Sequence, residues 1–240
     1  MTRAFLAVAF NLALFGCRTG PEITRVQARP GPPTVAIEPG EHPLGLNARR
    51  DGTLYIPKSV RSRTSVPLLL LLHGGGQRKE LFRFTFPLAE DLGVVILALD
   101  ARDNTWDGID SPFGPDVVFI DAALRFTFQR VAVDPRRLAL GGFSDGASYS
   151  LSLGLANGDL FTHLVAFSPG FIARPAPPAG QPLIFMSHGT RDNVLGIDQT
   201  SRRLVPQLRS AGYDVTYREF DGPHNTPPPI AREALEWLAR

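Results

Sequence analysis

The chain is nearly without cysteine: Cys17 is the only one in 240 residues. A lone cysteine cannot close an internal disulfide, so its position needs another reason. Lysine is almost as scarce, with only Lys58 and Lys79 among 25 basic residues. The rest is arginine, scattered along the chain, which reads as a composition bias and not as a function. Even the SVRSR run near Ser59–Arg63 reads as a solvated loop. No charge of one sign predominates. A formal net charge of +2 gives no argument for nucleic acid or a strongly acidic partner. Internal repeats are missing. So are H-E-x-x-H and any Cys/His cluster, so the sequence calls for no metal and no cofactor.

What remains is the composition of a folded domain, 43% apolar and 20% charged. The length suits one domain with a full α/β core. The first 16 residues stand apart. One early Arg precedes an apolar run from Ala4 to Phe15, too short for a comfortable membrane span of about 20 residues. This is the pattern of a secretory signal. Its ending, Leu14-Phe15-Gly16-Cys17, resembles a bacterial lipobox, which would make Cys17 a lipidation site and membrane anchor. The expected location is the cell envelope, facing the periplasm or exterior. An ordinary secretory signal with an incidental cysteine is the alternative. Residues 17–43 are rich in Pro and Gly without sustained period, and read as a tether.

From Leu44 to Arg240 the pattern is that of a domain. LGLNARRDGTLYIP suggests two short strands around a turn at Arg50-Asp51-Gly52. The run PLLLLLHGGGQ, like VVILALDAR and RRLALGGFS, is continuous apolar sequence ending in turn residues, as expected of strands buried on both faces. Helical spacing follows Pro115, Ser144 and Gln199, and again near the C-terminus. RKELFRFTFPLAEDLG reads as a helix interrupted near Pro87. Strands alternating with helices predict an α/β fold with a mainly parallel central sheet and helices on both faces. Ligands in such sheets sit at the carboxyl ends of the strands.

The motifs fall at those ends. Gly142-Phe143-Ser144-Asp145-Gly146 fits G-x-S-x-G between a strand and a helix, where glycines make room for a strained, projecting serine. A serine nucleophile needs a base, and the base an orienting acid. Of five histidines, only His224 lies downstream of a late acid. Asp192, after the strand ending near His188, is the best-placed acid, with Asp198 and Asp221 as alternatives. Asp198 reads better as a helix cap. In His73–Gln77 (HGGGQ) the glycines allow close backbone approach to a developing oxyanion. The donors expected are the N–H groups of Asp145 and Gly75, with Gly74 the close alternative. His73 reads as a brace for this loop. Trp106 and Phe113, in the loop after a strand end, are candidates for a substrate wall, the alternative being packing beneath the loop. Phe143 and the Ser168–Phe171 turn are further candidates to line the pocket.

Together LLLHGGGQ, GGFSDGA, HGTRDNV and GPHNTPP resemble the α/β-hydrolase superfamily. The resemblance covers Leu44 to Arg240 and is greatest to lidless phospholipase/carboxylesterase and polyhydroxybutyrate-depolymerase-like esterases. Pro223 and Gly196 depart from the usual pattern beside the histidine and the acid. The resemblance implies the α/β-hydrolase fold, with Ser144 as nucleophile, Asp192 as acid and His224 as base. It implies carboxylic-ester hydrolysis of a small-molecule substrate through an acyl-enzyme. The stretch between Ser168 and Gln181 is too short for a large lid. Two alternatives share the fold: a peptidase of the prolyl-oligopeptidase type, and a catalytically silent surface binding module.

Overall fold

The computed structural model describes residues 23–61 and 63–240. Residues 1–16, the expected signal, and Cys17, the expected lipidation site, lie outside the described residues.

The centre is an eight-stranded sheet. Its strands are β1 (Gly40–Pro43), β2 (Gly52–Ile56), β3 (Val66–Leu72), β4 (Val95–Leu99), β5 (Val133–Phe143), β6 (His163–Phe167), β7 (Leu183–Gly189) and β8 (Val215–Phe220). Their spatial order is β1-β2-β4-β3-β5-β6-β7-β8. β1 and β2 pair antiparallel, as do β2 and β4; all other neighbours are parallel. The helices are α1 (Phe86–Leu92), α2 (Pro115–Phe128), α3 (Asp145–Ala156), α4 (Ser201–Ser210) and α5 (Pro228–Ala239).

The leucine run shows how this sheet is held. Successive strand side chains point to opposite faces. Leu68, Leu70 and Leu72 join a cluster with residues of α2, α3 and α4, while Leu69 and Leu71 pack with Ala89 of α1 and Leu235 of α5. All five are buried. Each such side chain is worth about 1.5–3 kcal/mol relative to exposure, so a strand without a polar face is stable only as the middle of a three-layer sandwich.

Two local expectations are corrected. The first hairpin pairs Gly52–Ile56 with Gly40–Pro43, and Leu44–Asp51 is a loop. The Asp51 carboxylate organises that loop by accepting from the N–H groups of Gly45 (2.7 Å) and Leu46 (3.1 Å). Residues Lys79–Thr85 form a 3-10 turn, and α1 begins at Phe86 with Pro87 in its first turn. There a proline sacrifices no intrahelical bond.

The described part of the expected tether is not free. Ile23–Pro39 has no regular secondary structure, yet Val26 and Ala28 are buried. Asn157 Oδ1 accepts from the Val26 N–H (2.9 Å), and Asp121 Oδ1 from the N–H groups of Gln27 and Ala28 (2.6 Å each). Arg25 and Arg29 pair with Asp159. Pro30, Gly31, Pro32 and Pro33 preclude a helix or strand in the middle of this segment. They do not prevent docking once folded elements present acceptors to the backbone. A chain beginning at Leu44 loses β1 and this strap. It is expected to melt at least about 5 °C below one beginning at Arg18, since about 2 kcal/mol corresponds to a shift of that order for a domain of this size. Equal melting temperatures by calorimetry would show that the strap contributes nothing.

Candidate active site

β5 ends at Phe143 and α3 begins at Asp145, so Ser144 alone makes the turn. Its φ of 57° is positive, a region that side chains disfavour. Its N–H donates to the Phe167 carbonyl at the end of β6 (2.9 Å). The turn is possible because its flanks have no side chains. A Cβ on Gly142 would lie 2.5 Å from the Leu72 carbonyl oxygen, and one on Gly146 only 2.0 Å from the same atom. Ser144 Oγ thus stands above the sheet at the amino end of a 12-residue helix, where the dipole is positive.

His224, in the loop after β8, reaches this hydroxyl. Its Nε2 is 2.9 Å from Ser144 Oγ and its Nδ1 is 2.5 Å from Asp192 Oδ2. Neutral imidazole with its proton on Nδ1 donates to Asp192 and accepts from Ser144. The acid and histidine loops touch through their backbones. A Cβ on Gly189 would come 2.4 Å from the Gly222 carbonyl. The other acids lie apart from this arrangement. Asp221 pairs with Arg191 at the surface, and Asp198 pairs with Arg202 (2.8 Å) instead of capping α4, whose flanking residue is Thr200. Of the other histidines, His42 bonds the Glu38 carbonyl and His163 bonds Thr162 and packs against Trp237.

Asp192 accepts three hydrogen bonds and has a second imidazole beside it. Oδ1 accepts from the N–H groups of Val194 (2.9 Å) and Leu195 (2.8 Å), and Oδ2 faces His224 and His188. Burial works against its charge. The Leu195 N–H, the His224 ring and the Val194 N–H outweigh burial and hold the carboxyl below its ordinary range. His188 is the participant that sequence reading missed, having placed it only at a strand end. Its buried Nε2 lies 2.7 Å from the Leu195 carbonyl and 3.1 Å from Asp192 Oδ2, and its Nδ1 lies 2.7 Å from Ser201 Oγ. Burial pushes its pKa down, keeping the ring neutral.

The glycine loop leaves β3 beside the serine. His73 braces it: Nδ1 bonds the Gly74 carbonyl (2.7 Å), and Nε2 accepts from the Ala101 N–H (3.1 Å). The Gly74 N–H is held by Gln77 Oε1 (3.1 Å) and the Gly76 N–H by the Asn104 carbonyl (2.9 Å). That leaves the N–H of Gly75, together with that of Asp145 at the start of α3. The Asp145 carboxylate packs over Gly75, where a Cβ would meet it at 2.5 Å, and accepts from Thr105 Oγ1 (2.7 Å).

Trp106 and Phe113 are corrected from candidate substrate wall to core. Both are buried; the Trp106 indole donates to the His73 carbonyl (2.8 Å), and Phe113 stacks on Tyr149. They support the glycine loop from behind. Phe143 packs its ring 4.6 Å from the His224 ring and borders a cavity of about 260 Å³. A larger cavity, about 400 Å³ between α3, α4 and residues 172–181, touches none of Ser144, Asp192 or His224. In the Ser168–Phe171 turn, the Gly170 N–H donates to Ser148 Oγ (2.9 Å) and Phe171 is exposed. Among the described residues no group of His, Cys, Asp and Glu is arranged to hold a metal ion.

The loop carrying Thr105 is closed by a buried carboxylate pair. The N–H of Asp107 donates to Asp116 and that of Asp116 to Asp107, while Tyr149 Oη donates to Asp107 (2.8 Å). Burial pushes Asp116 up to about 6.

No protein-family model matches the chain, and no curated protein does. Solved structures do. A Bacillus cereus carboxylesterase is 23% identical, with a TM-score of 0.60 over 80% of this chain and 94% of that one. The S-formylglutathione hydrolase of Staphylococcus aureus is 15% identical, with a TM-score of 0.67 over 86% and 100%. An acylaminoacyl peptidase from Pyrococcus horikoshii is 16% identical, with a TM-score of 0.60 over 84% of this chain and 41% of that one. The fold is the α/β-hydrolase fold.

The carboxylate pair sets a dependence on pH. The folded-state pKa of Asp116 lies above its unfolded value, so its contribution to stability falls as pH rises from about 4 to about 6. A displacement of that size corresponds to about 3 kcal/mol. In urea melts, the stability of the parent relative to Asp116→Asn is expected to decline between pH 4 and 6.5. A constant gap across that range would contradict the assignment.

Proposed function

We propose that the chain is a serine hydrolase that cleaves carboxylic esters through an acyl-enzyme, with Ser144 as nucleophile, His224 as base and Asp192 as orienting acid. One observation carries this reading: His224 lies within hydrogen-bond reach of both Ser144 Oγ and Asp192 Oδ2, on a serine held in a strained turn. Likeness to a carboxylesterase and an S-formylglutathione hydrolase in fold is in keeping with it.

His224 Nε2 takes the proton as Ser144 Oγ attacks the ester carbonyl carbon. The carbonyl oxygen becomes an oxyanion and accepts from the N–H groups of Gly75 and Asp145. The carbon–oxygen bond to the alcohol breaks, and the alcohol leaves with the proton from His224. Water, deprotonated by the same nitrogen, then releases the acid and regenerates the serine. Asp192 fixes the Nδ1–H tautomer and stabilises the imidazolium of each half-reaction. The Leu195 and Val194 N–H groups and the His224 ring keep Asp192 ionised, and His188 packs beside it. Export, with lipid attachment at Cys17, belongs to the same reading.

The test is covalent labelling of the full chain by a fluorophosphonate. The parent is expected to label at Ser144, and Ser144→Ala and His224→Ala to lose labelling. Asp192→Asn should lower kcat on a small ester by about four orders of magnitude. A folded parent that resists the probe would favour a binding module, and labelling with turnover of peptides but not esters would favour a peptidase. Metabolic incorporation of labelled palmitate that Cys17→Ala abolishes is expected if the anchor is present.

A further inference from the structure

The serine-esterase reading leaves open which esters enter. The cavity beside His224 bears on this, and a role for it rests on that reading. It lies between the 3-10 turn Lys79–Thr85 and the loop that carries His224. Gln77, Leu81, Phe84, Phe143, His224 and Thr226 form most of its surface.

Its position fixes which half of an ester it can hold. Once the carbonyl carbon is bonded to Ser144 Oγ, its three other substituents have separate destinations. The oxyanion goes to the N–H groups of Gly75 and Asp145. The leaving oxygen must lie within reach of His224 Nε2, because that atom carries the proton it needs. The group attached to the leaving oxygen therefore extends on the His224 side. The cavity is on that side: the His224 ring is one of its walls, and Phe143, tilted against that ring at 4.6 Å, is another. The Thr105–Asp145 pair lies at the glycine loop and is not among the cavity walls.

The walls fix the chemistry of the occupant. Leu81, Phe84 and Phe143 present carbon. Gln77 spends its amide oxygen on the Gly74 N–H. None of the lining residues is Asp, Glu, Lys or Arg. A charged alcohol would lose its water and meet no opposite charge, which is costly. A cavity of about 150 Å³ suffices for a benzene ring, and this one has about 260 Å³.

We propose that this cavity is the alcohol subsite and that it selects esters of uncharged, ring-sized apolar alcohols, of the phenyl or benzyl class.

The experiment uses two pairs of substrates. Benzyl acetate and ethyl acetate share an acyl group and differ in the alcohol. Methyl phenylacetate and methyl acetate share an alcohol and differ in the acyl group. In Phe84→Ala, the benzyl-to-ethyl ratio of kcat/KM is expected to fall about tenfold. The phenylacetate-to-acetate ratio should move less than twofold. Leu81→Trp, which fills the cavity instead of enlarging it, should lower the first ratio as well, and it decides the matter if Phe84→Ala does not fold. A fall in the acyl ratio alone would overturn the assignment, because the cavity would then hold the acid half. A fall in both ratios, or in neither, would overturn it too. Fluorophosphonate labelling of the parent separates the two levels. A parent that labels and turns over esters without the expected ratios defeats only the subsite. A parent that neither labels nor turns over any of the four esters defeats the hydrolase reading, and the subsite with it.

Discussion

The carbonyl oxygen of Leu72 leaves no room for a carbon atom at residue 146. Most of the site depends on that contact. β3 and the start of α3 are pressed together until only hydrogen fits between them, and Ser144 has no route from strand to helix except a positive φ. The same carbonyl ends β3, so the glycine loop departs within reach of the serine it presses on. The strained serine and the glycine loop are not two features placed near each other. They are two sides of one backbone contact, which the five buried leucines of β3 hold closed.

The rest of the site is assembled by register. Phe143 of β5 lies level with Phe167 of β6, which lies level with Ser187 of β7. Three strands thus stop at nearly the same height, and the loops they release have one surface to occupy. His224 comes from β8, and the bare backbone at Gly189 lets its loop settle against the acid loop. Asp192 then satisfies both carboxylate oxygens with groups from its own loop, from β7 and from the histidine loop. A carboxylate held on both oxygens has few orientations open to it.

Much of this was legible in the sequence, because its signals are local. An unbroken apolar run means a strand buried on both faces, and a serine between spaced glycines means a tight turn. What was not legible depends on partners far away in the chain. Val26 and Ala28 look like part of a tether until Asp121 and Asn157 supply acceptors from some 90 to 130 residues on. Trp106 looks like a substrate wall because it follows a strand end. Its buried role becomes visible only when the His73 carbonyl receives its indole N–H. His188 was visible as a residue but not as a participant, since nothing local shows that its ring turns toward Asp192.

The strap also bridges two distant parts of the domain. Its first described residue, Ile23, donates its N–H to the carbonyl of Phe113, in the loop that also carries Thr105 and, through it, Asp145. The next residues are held at the opposite end of α3 from Ser144, where Asn157 donates to the Thr24 carbonyl (2.8 Å) and accepts from the Val26 N–H (2.9 Å). One short segment thus ties the loop behind the glycine turn to the far end of the helix that follows Ser144, so both ends of that helix are braced from the same side of the sheet.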